Sequence, residues 1–423
     1  MQPSKTLEKY LANYAEPCSR AIPSSFIAGC KNYQHCVVIP CFNESTAFIR
    51  QLQSRPFKQP NALAIIVLNQ PAGRNHITRL NARIIQHLNE RHLKKLYSAS
   101  EHYEPFTLFT AANSQLADIL LINCCEPGLP PKQGVGLARK IGADIATQFF
   151  AQGKITSQWL HSTDADASLP EDYFELPNSK AVAATYSFKH QFLKAQKSAT
   201  EMTLEKASFC YEQRLHYYQQ GLEFAGSPYA FHTVGSALAF TFEAYCQVRG
   251  FPRRAAGEDF YLLNKIAKLG PVISLPQQIT LQPRASMRVP FGTGPATREL
   301  LTNAKRVDYN PEIFVELKQC LLQLPNTCEQ LIDTKNINYG RLGSHTIMAL
   351  KAIGIESLWQ HIAKQKMSYA QATQAVAQWL DGFRTLKFIH QLSDQHLPKL
   401  PVEQIALSPY PFVKPYTEIW PDH

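Results

Sequence analysis

Three short apolar runs, each stopped by polar or turn-forming residues, constrain this chain most. Residues 36–40 read Cys-Val-Val-Ile-Pro, 62–68 read Ala-Leu-Ala-Ile-Ile-Val-Leu, and 118–123 read Asp-Ile-Leu-Leu-Ile-Asn. Continuous rather than alternating hydrophobicity marks strands buried on both faces, as in a parallel sheet covered by helices. The first run turns at 40–44 into a helical pattern near 45–53; the second stops at 69–73 before a long polar helical stretch, 79–96. Residues 134–150 carry Leu137, Ile141, Ile145 and Phe149 four apart, one apolar helix face. A fourth strand is predicted from near Ile155 into Asp164, a fifth over 181–186, and another over 271–281. Strands alternating with helices predict a doubly wound, mainly parallel α/β sheet, which binds ligands at the carboxyl ends of its strands. Asn43, Asn69 and Asp164 fall at such ends.

The run His161-Ser-Thr-Asp-Ala-Asp166 adds chemistry. Residues i and i+2 of an extended chain project to one side. Asp164 and Asp166 then offer two hard oxygen ligands, half a site for Mg²⁺ or Mn²⁺, with substrate phosphates supplying the rest. Without the rest of the chain, the same tripeptide reads as a polar turn.

Composition narrows the class. The chain has 423 residues, 45% hydrophobic and 18% charged, which fits a packed protein rather than a disordered one. No apolar run is long enough to span a bilayer, and the mixed charges of residues 1–10 argue against a secretory signal. Ten scattered cysteines without a Cys-x-x-Cys pair read as buried thiols in a reducing compartment, so a cytoplasmic protein is expected. The net charge of +10 suits an anionic substrate or weak peripheral contact with an anionic membrane. Its basic residues are dispersed, with no aromatic-basic platform, and no nucleic-acid partner is expected.

Taken in order, four segments resemble family 2 glycosyltransferases of the GT-A fold: 37–44 (Val-Val-Ile-Pro-Cys-Phe-Asn-Glu), 134–142, the Asp164-Ala-Asp166 triplet, and 235–252 followed by Gly257-Glu-Asp-Phe-Tyr-Leu-Leu263. The resemblance spans roughly 35–295. It implies a Rossmann-like nucleotide-diphospho-sugar transferase sheet and a metal-dependent transfer of sugar from a nucleoside diphosphate to a hydroxyl. The acceptor would be a saccharide or a lipid-linked molecule. It further implies that Pro40, Phe42, Asn43 and Glu44 border the nucleoside, that Arg139 and Asp164 meet the diphosphate sugar, and that Asp166 with Asp164 holds the metal, with His161 and His232 as candidates for a third ligand. Asp259 would be the base of an inverting displacement and Glu258 its positioning partner. Apart from the resemblance, Arg288 lies in the stretch 286–294 with Gly292 and Gly294 after it, a pattern that reads either as a mobile lid whose arginine stabilises leaving charge or as an ordinary Gly/Pro turn. Two positions depart from the family pattern. Asn69 and Gln70 stand where acidic residues are usual, leaving the base open although Asn69 can still bond its edge, and Lys140 stands where Asn is usual.

The expected organisation is a helical lead-in (1–34), the transferase domain (35–295), a helical C-terminal region (296–400) and a Pro-rich extended tail (401–423). Alternatives are a nucleotidyltransferase, for which residues 42–46 lack the Gly-rich loop, a non-catalytic nucleotide-sugar or nucleic-acid binder, or a transferase that binds donor without turnover.

Overall fold

The structure, a computed structural model, describes residues 4–54, 57–58, 61–90, 106–111, 115–191, 199–282 and 306–417. Arg288 and the Gly-rich stretch around it lie outside the described residues. In chain order the first part comprises α1 (Lys5–Asn13), α2 (Pro17–Arg20), α3 (Ser24–Gly29), β1 (His35–Cys41), α4 (Ala47–Ser54), β2 (Ala62–Pro71) and α5 (Arg79–Glu90). There follow β3 (Phe106–Phe109), β4 (Asp118–Leu129), α6 (Gly134–Ala151), β5 (Trp159–Ser162), β6 (Ala167–Ser168) and β7 (Ala183–His190). Next come α7 (Ala199–Ala225), β8 (Leu238–Thr241), α8 (Phe242–Gln247), α9 (Glu258–Ile266) and β9 (Val272–Leu281).

The strands form one nine-stranded sheet in the order β3-β4-β2-β1-β5-β8-β7-β9-β6. Its β4-β2-β1-β5 stretch is parallel throughout, with Val38 opposite Ile65 on β2 and Ser162 on β5. β3 and β8 join antiparallel, and β7 returns to a parallel pairing with β9. The three apolar runs that announce the parallel strands are buried along their lengths.

One strand ends earlier than the sequence predicts. Ile155 makes only an isolated bridge to Tyr33, and β5 begins at Trp159 and closes at Ser162. After it, the Ala167 N–H donates to the Asp164 carbonyl (3.2 Å), folding 164–167 into a turn. Asp164 and Asp166 therefore project from a turn, and strand alternation does not set their directions.

Helix α6 is buried on more than its predicted face. Leu137, Ile141, Ile145 and Phe149 point into the core, and Gly142 lets the helix lie against the sheet, since a Cβ there would sit 2.5 Å from Val38 Cγ1. On its other side α1 and α2 cover Lys140 and Asp144, 4% and 0% exposed. Asp144 accepts hydrogen bonds from the hydroxyls of Tyr10 and Tyr245 and from the Glu16 N–H, and pairs with Lys140 Nζ at 3.2 Å. Each lone pair is satisfied, the condition for burying such charges. The N-terminal helices are thus built into the sheet unit.

The chain divides into two compact units, one of Met1–Lys194 with Thr233–Arg284, the other of Ala195–His232 with Ala285–His423. Helix α7, inside the segment resembling a transferase, belongs to the second unit. There it packs on the helix Glu312–Thr334, and Phe314 fits where Gly221 leaves space. Two predicted helices of the second unit are each divided. Gly354 (φ 90°) separates Ser344–Ala352 from Ile355–Lys364, and Asp381 starts Gly382–Gln395 by accepting from the Arg384 N–H. The expected extended tail is, in its described part, a helix Val402–Ala406 and a 3₁₀ turn Pro411–Thr417. Phe412 and Val413 anchor it in the core of this unit, where burial outweighs the extended preference of its prolines. Among the described residues no helix is long and apolar enough to cross a membrane.

Candidate active site

The site lies where β1 and β5 end. Beyond β1 the chain turns sharply at Asn43, which adopts the left-handed conformation (φ 58°) that Asn tolerates better than most residues. Its backbone N–H donates to Asn81 Oδ1 at 2.9 Å. Asn81, fully buried on α5, in turn donates to the Asn69 carbonyl (2.9 Å) and to Cys125 Sγ (3.4 Å). One side chain thereby ties the ends of β1, β2 and β4. The polar helical reading of 79–96 missed it. The signal was there: Asn81, Ile84 and Leu88 share one helix face, and a lone Asn on an apolar face has to be bonded inside.

A cavity of about 660 Å³ opens beside this turn, bordered by Asn43, Glu44, Phe48, Asp166, Ser168 and Gln282 among others. That volume lies within the roughly 300–1,000 Å³ usual for small-molecule sites. Pro40, Phe42, Asn69, Arg139 and Asp164 are not among its lining residues. Pro40 is buried within β1, and the Phe42 ring has the Arg74 guanidinium 5.8 Å from its centroid. Asn69 donates to the carbonyls of Cys41 (3.0 Å) and Val67 (3.1 Å), and Gln70 bonds the backbone of His76 and Thr78. Both amides at the end of β2 are thus bonded to backbone groups of the surrounding loops.

Arg139 is the structural centre. Its Nε donates to Glu258 Oε1 (2.8 Å), its Nη2 to Asp164 Oδ1 (2.5 Å), and its Nη1 to Ser162 Oγ (2.9 Å) and the Thr163 carbonyl (3.3 Å). Gly235 backs the guanidinium so closely that a Cβ there would collide with Nη2. The planar fork holds two carboxylates at fixed, separate angles, a geometry that the single point of a lysine ammonium does not impose. Lys140, beside it in sequence, faces the opposite way and donates to the Tyr10 hydroxyl at 2.6 Å. The second departure from the family pattern therefore serves the buried cluster under α1.

Helix α9 opens with Gly257 in the left-handed region, then Glu258, 4% exposed and paired with Arg139, then half-buried Asp259. Burial and the adjacent Glu258 push the Asp259 carboxyl up to about 7, against the attraction of Arg139 and the Phe260 N–H. Burial and Asp164 push Asp166 up to about 7 in the same way. Both carboxyls are thus poised near neutrality, a state typical of groups that exchange protons or await a cation.

Among the described residues no group of three or more His, Cys, Asp or Glu side chains could hold a metal ion. Asp166 lines the cavity, and its carboxylate with the second oxygen of Asp164 and oxygens of a ligand would make a hard donor set of the kind a divalent cation takes. Asp166, carrying negative charge against desolvation and a like neighbour, is the group a cation would relieve. His161 is placed among core rings, its Nδ1 2.9 Å from the Tyr186 hydroxyl and its ring packed near Tyr173 and Phe174. Burial holds it well below the usual histidine range. His232 belongs to the second unit.

No protein-family model matches the chain, and no curated protein matches it in sequence. Among solved structures it is similar to the mannosyltransferase PcManGT from Pyrobaculum calidifontis in complex with GDP-Man and Mn²⁺. The match has 15% identity and a TM-score of 0.35, covering 89% of this chain and 94% of that one. A likeness so distant carries no argument about function, which rests on the site itself.

Proposed function

We propose that the chain transfers a sugar from a nucleoside-diphosphate donor to a hydroxyl of a saccharide or lipid-linked acceptor, with inversion. The observation that carries this reading is Arg139 bonding Asp164 and Glu258 together. It draws the turn with the paired aspartates and the acidic start of α9 into one site beside a nucleotide-sized cavity. A carboxylate turn for a cation–diphosphate and a separate carboxyl poised near 7 are the two parts that glycosyl transfer requires.

In this mechanism Asn43 and Glu44 border the nucleoside and Asp166, with Asp164, holds the cation. A bound Mg²⁺ or Mn²⁺ supplies Lewis-acid neutralisation of the charge left on the departing diphosphate. Asp259 accepts the proton of the acceptor hydroxyl as that oxygen forms its bond to the anomeric carbon. The bond from that carbon to the β-phosphate oxygen breaks, and its electron pair leaves with the nucleoside diphosphate. Glu258, fixed by Arg139, holds the first turn of α9 so that Asp259 faces the acceptor. Arg288 is assigned to the leaving group from the sequence alone, by the glycines that follow it.

Thermal unfolding with Mn²⁺ and each of GDP, UDP, ADP and dTDP tests the donor side. Binding at a hundred times Kd stabilises by about 2.7 kcal/mol, a shift readily seen. One nucleotide should stabilise the chain in a Mn²⁺-dependent way and so name the base. No shift with any of them overturns the reading.

A further inference from the structure

The resemblance places Arg139 against the donor, but its bonds point elsewhere. It is 2% exposed and absent from the cavity lining, and its Nε, Nη1 and Nη2 all donate to protein oxygens. Those oxygens belong to two functional halves. Asp164, Ser162 and the Thr163 carbonyl carry the turn that presents Asp166; Glu258 opens the helix that presents Asp259. Both connections are short; the one to Glu258 is nearly dry and escapes solvent screening, while the Asp164 carboxylate keeps a face open to a ligand. With Gly235 pressed on the guanidinium from behind, Arg139 cannot follow one carboxylate without changing its hold on the other.

We propose that Arg139 is a positioning residue that couples the two halves, so that a nucleotide captured at Asp166 and the placement of Asp259 for the acceptor are set together. This rests on the transferase reading above. A ligand that draws Asp164 toward a cation takes it partly from Arg139, and the guanidinium then turns more fully to Glu258. By linkage the effect is reciprocal: altering Glu258 must alter nucleotide affinity at a cavity Glu258 does not line.

Calorimetric titration of the full chain with MnCl₂ and each of the four nucleoside diphosphates tests it. Glu258→Gln keeps the side chain's shape and removes the charge facing Nε. It should weaken the preferred nucleotide roughly tenfold, a typical coupling. Asp259→Asn, equally close in sequence but not bonded to Arg139, should cost less than about a third of that factor. In an Arg139→Lys background the Glu258 substitution should have a smaller effect, because the fork that joins the halves is gone. Wild-type affinity in a folded Glu258→Gln variant, or equal losses from Glu258→Gln and Asp259→Asn, overturns the coupling while nucleotide binding by the wild type still supports the donor reading. Should Glu258→Gln fail to fold, Glu258→Asp is read by the same criterion, with about threefold weaker binding expected and unchanged binding contradicting the proposal. If none of the four nucleotides binds the wild type, the donor reading fails and the coupling falls with it.

Discussion

The backbone N–H of Asn43 donates to the side-chain oxygen of Asn81 at 2.9 Å, across 38 residues of sequence. That bond holds a left-handed turn at the mouth of the cavity, and Asn81 is otherwise fully committed to Asn69 and Cys125. Asn81→Leu leaves buried polar groups without partners, at about 1–3 kcal/mol. Urea unfolding should show that loss, and nucleotide affinity should fall with it. Asn43→Gly, which keeps the backbone conformation open, should retain far more affinity than Asn43→Val, whose branched side chain opposes positive φ.

Gly235→Ala tests the enclosure of Arg139. The added methyl meets the guanidinium, so either the backbone shifts or Arg139 releases a carboxylate. Overpacking of this kind costs about 1–3 kcal/mol. Stability and transfer should both decline, and unchanged values in both would mean the surrounding loop yields freely.

Asp259 gives a pH dependence with a defined sign. Its carboxyl is raised from 3.8 to about 7 in the folded chain, so between those values the folded state holds the proton more tightly than the unfolded one. The group's contribution to stability is present below 3.8 and is lost as pH rises through 7. Asp259→Asn should therefore raise thermal stability at pH 8, on the order of 4 kcal/mol, while abolishing transfer. Wild-type activity should fall on the acid side with a midpoint near 7. An acid limb near 4 would contradict the assignment of the base.

His35 acts in the opposite direction. Burial lowers it from 6.5 to about 4, where it stacks on Phe174 with ring centres 4.9 Å apart. An unfolded chain takes up this proton first, so its stabilisation is full above 6.5 and is lost as pH falls toward 4. The loss amounts to about 3 kcal/mol by the lower limit of that window. Unfolding midpoints of wild type and His35→Phe should lie closest at pH 7 and separate toward pH 4, where only the wild type loses stability, if the imidazole is the cause. A constant difference would exclude it.

What could be read from the sequence was what local pattern determines. Continuous apolar runs marked β1, β2 and β4 because a doubly covered strand needs no alternation. The spacing of Leu137, Ile141, Ile145 and Phe149 marked α6, and all four are buried. What local pattern does not determine was missed. Lys140 and Asp144 look like an exposed i, i+4 pair until α1 and α2 are laid over them. Arg139 owes its role to partners as many as 119 residues away. The length of β5 was overestimated because Ile155 is apolar: its side chain is buried in the core, but its backbone makes only an isolated bridge to Tyr33. Helix α7 carries Tyr217, Leu222 and Ala225 into the second unit's core, an allegiance fixed by long-range packing alone.

The proposed transfer requires the Asp164–Asp166 turn to grip a cation that holds a nucleoside diphosphate in the adjoining cavity. Calorimetric titration of one nucleoside diphosphate, with and without Mn²⁺, into wild type, Asp166→Ala and Asp259→Asn addresses it most directly. Binding should need Mn²⁺, vanish in Asp166→Ala and persist in Asp259→Asn. Undiminished, metal-independent binding by Asp166→Ala would contradict the account.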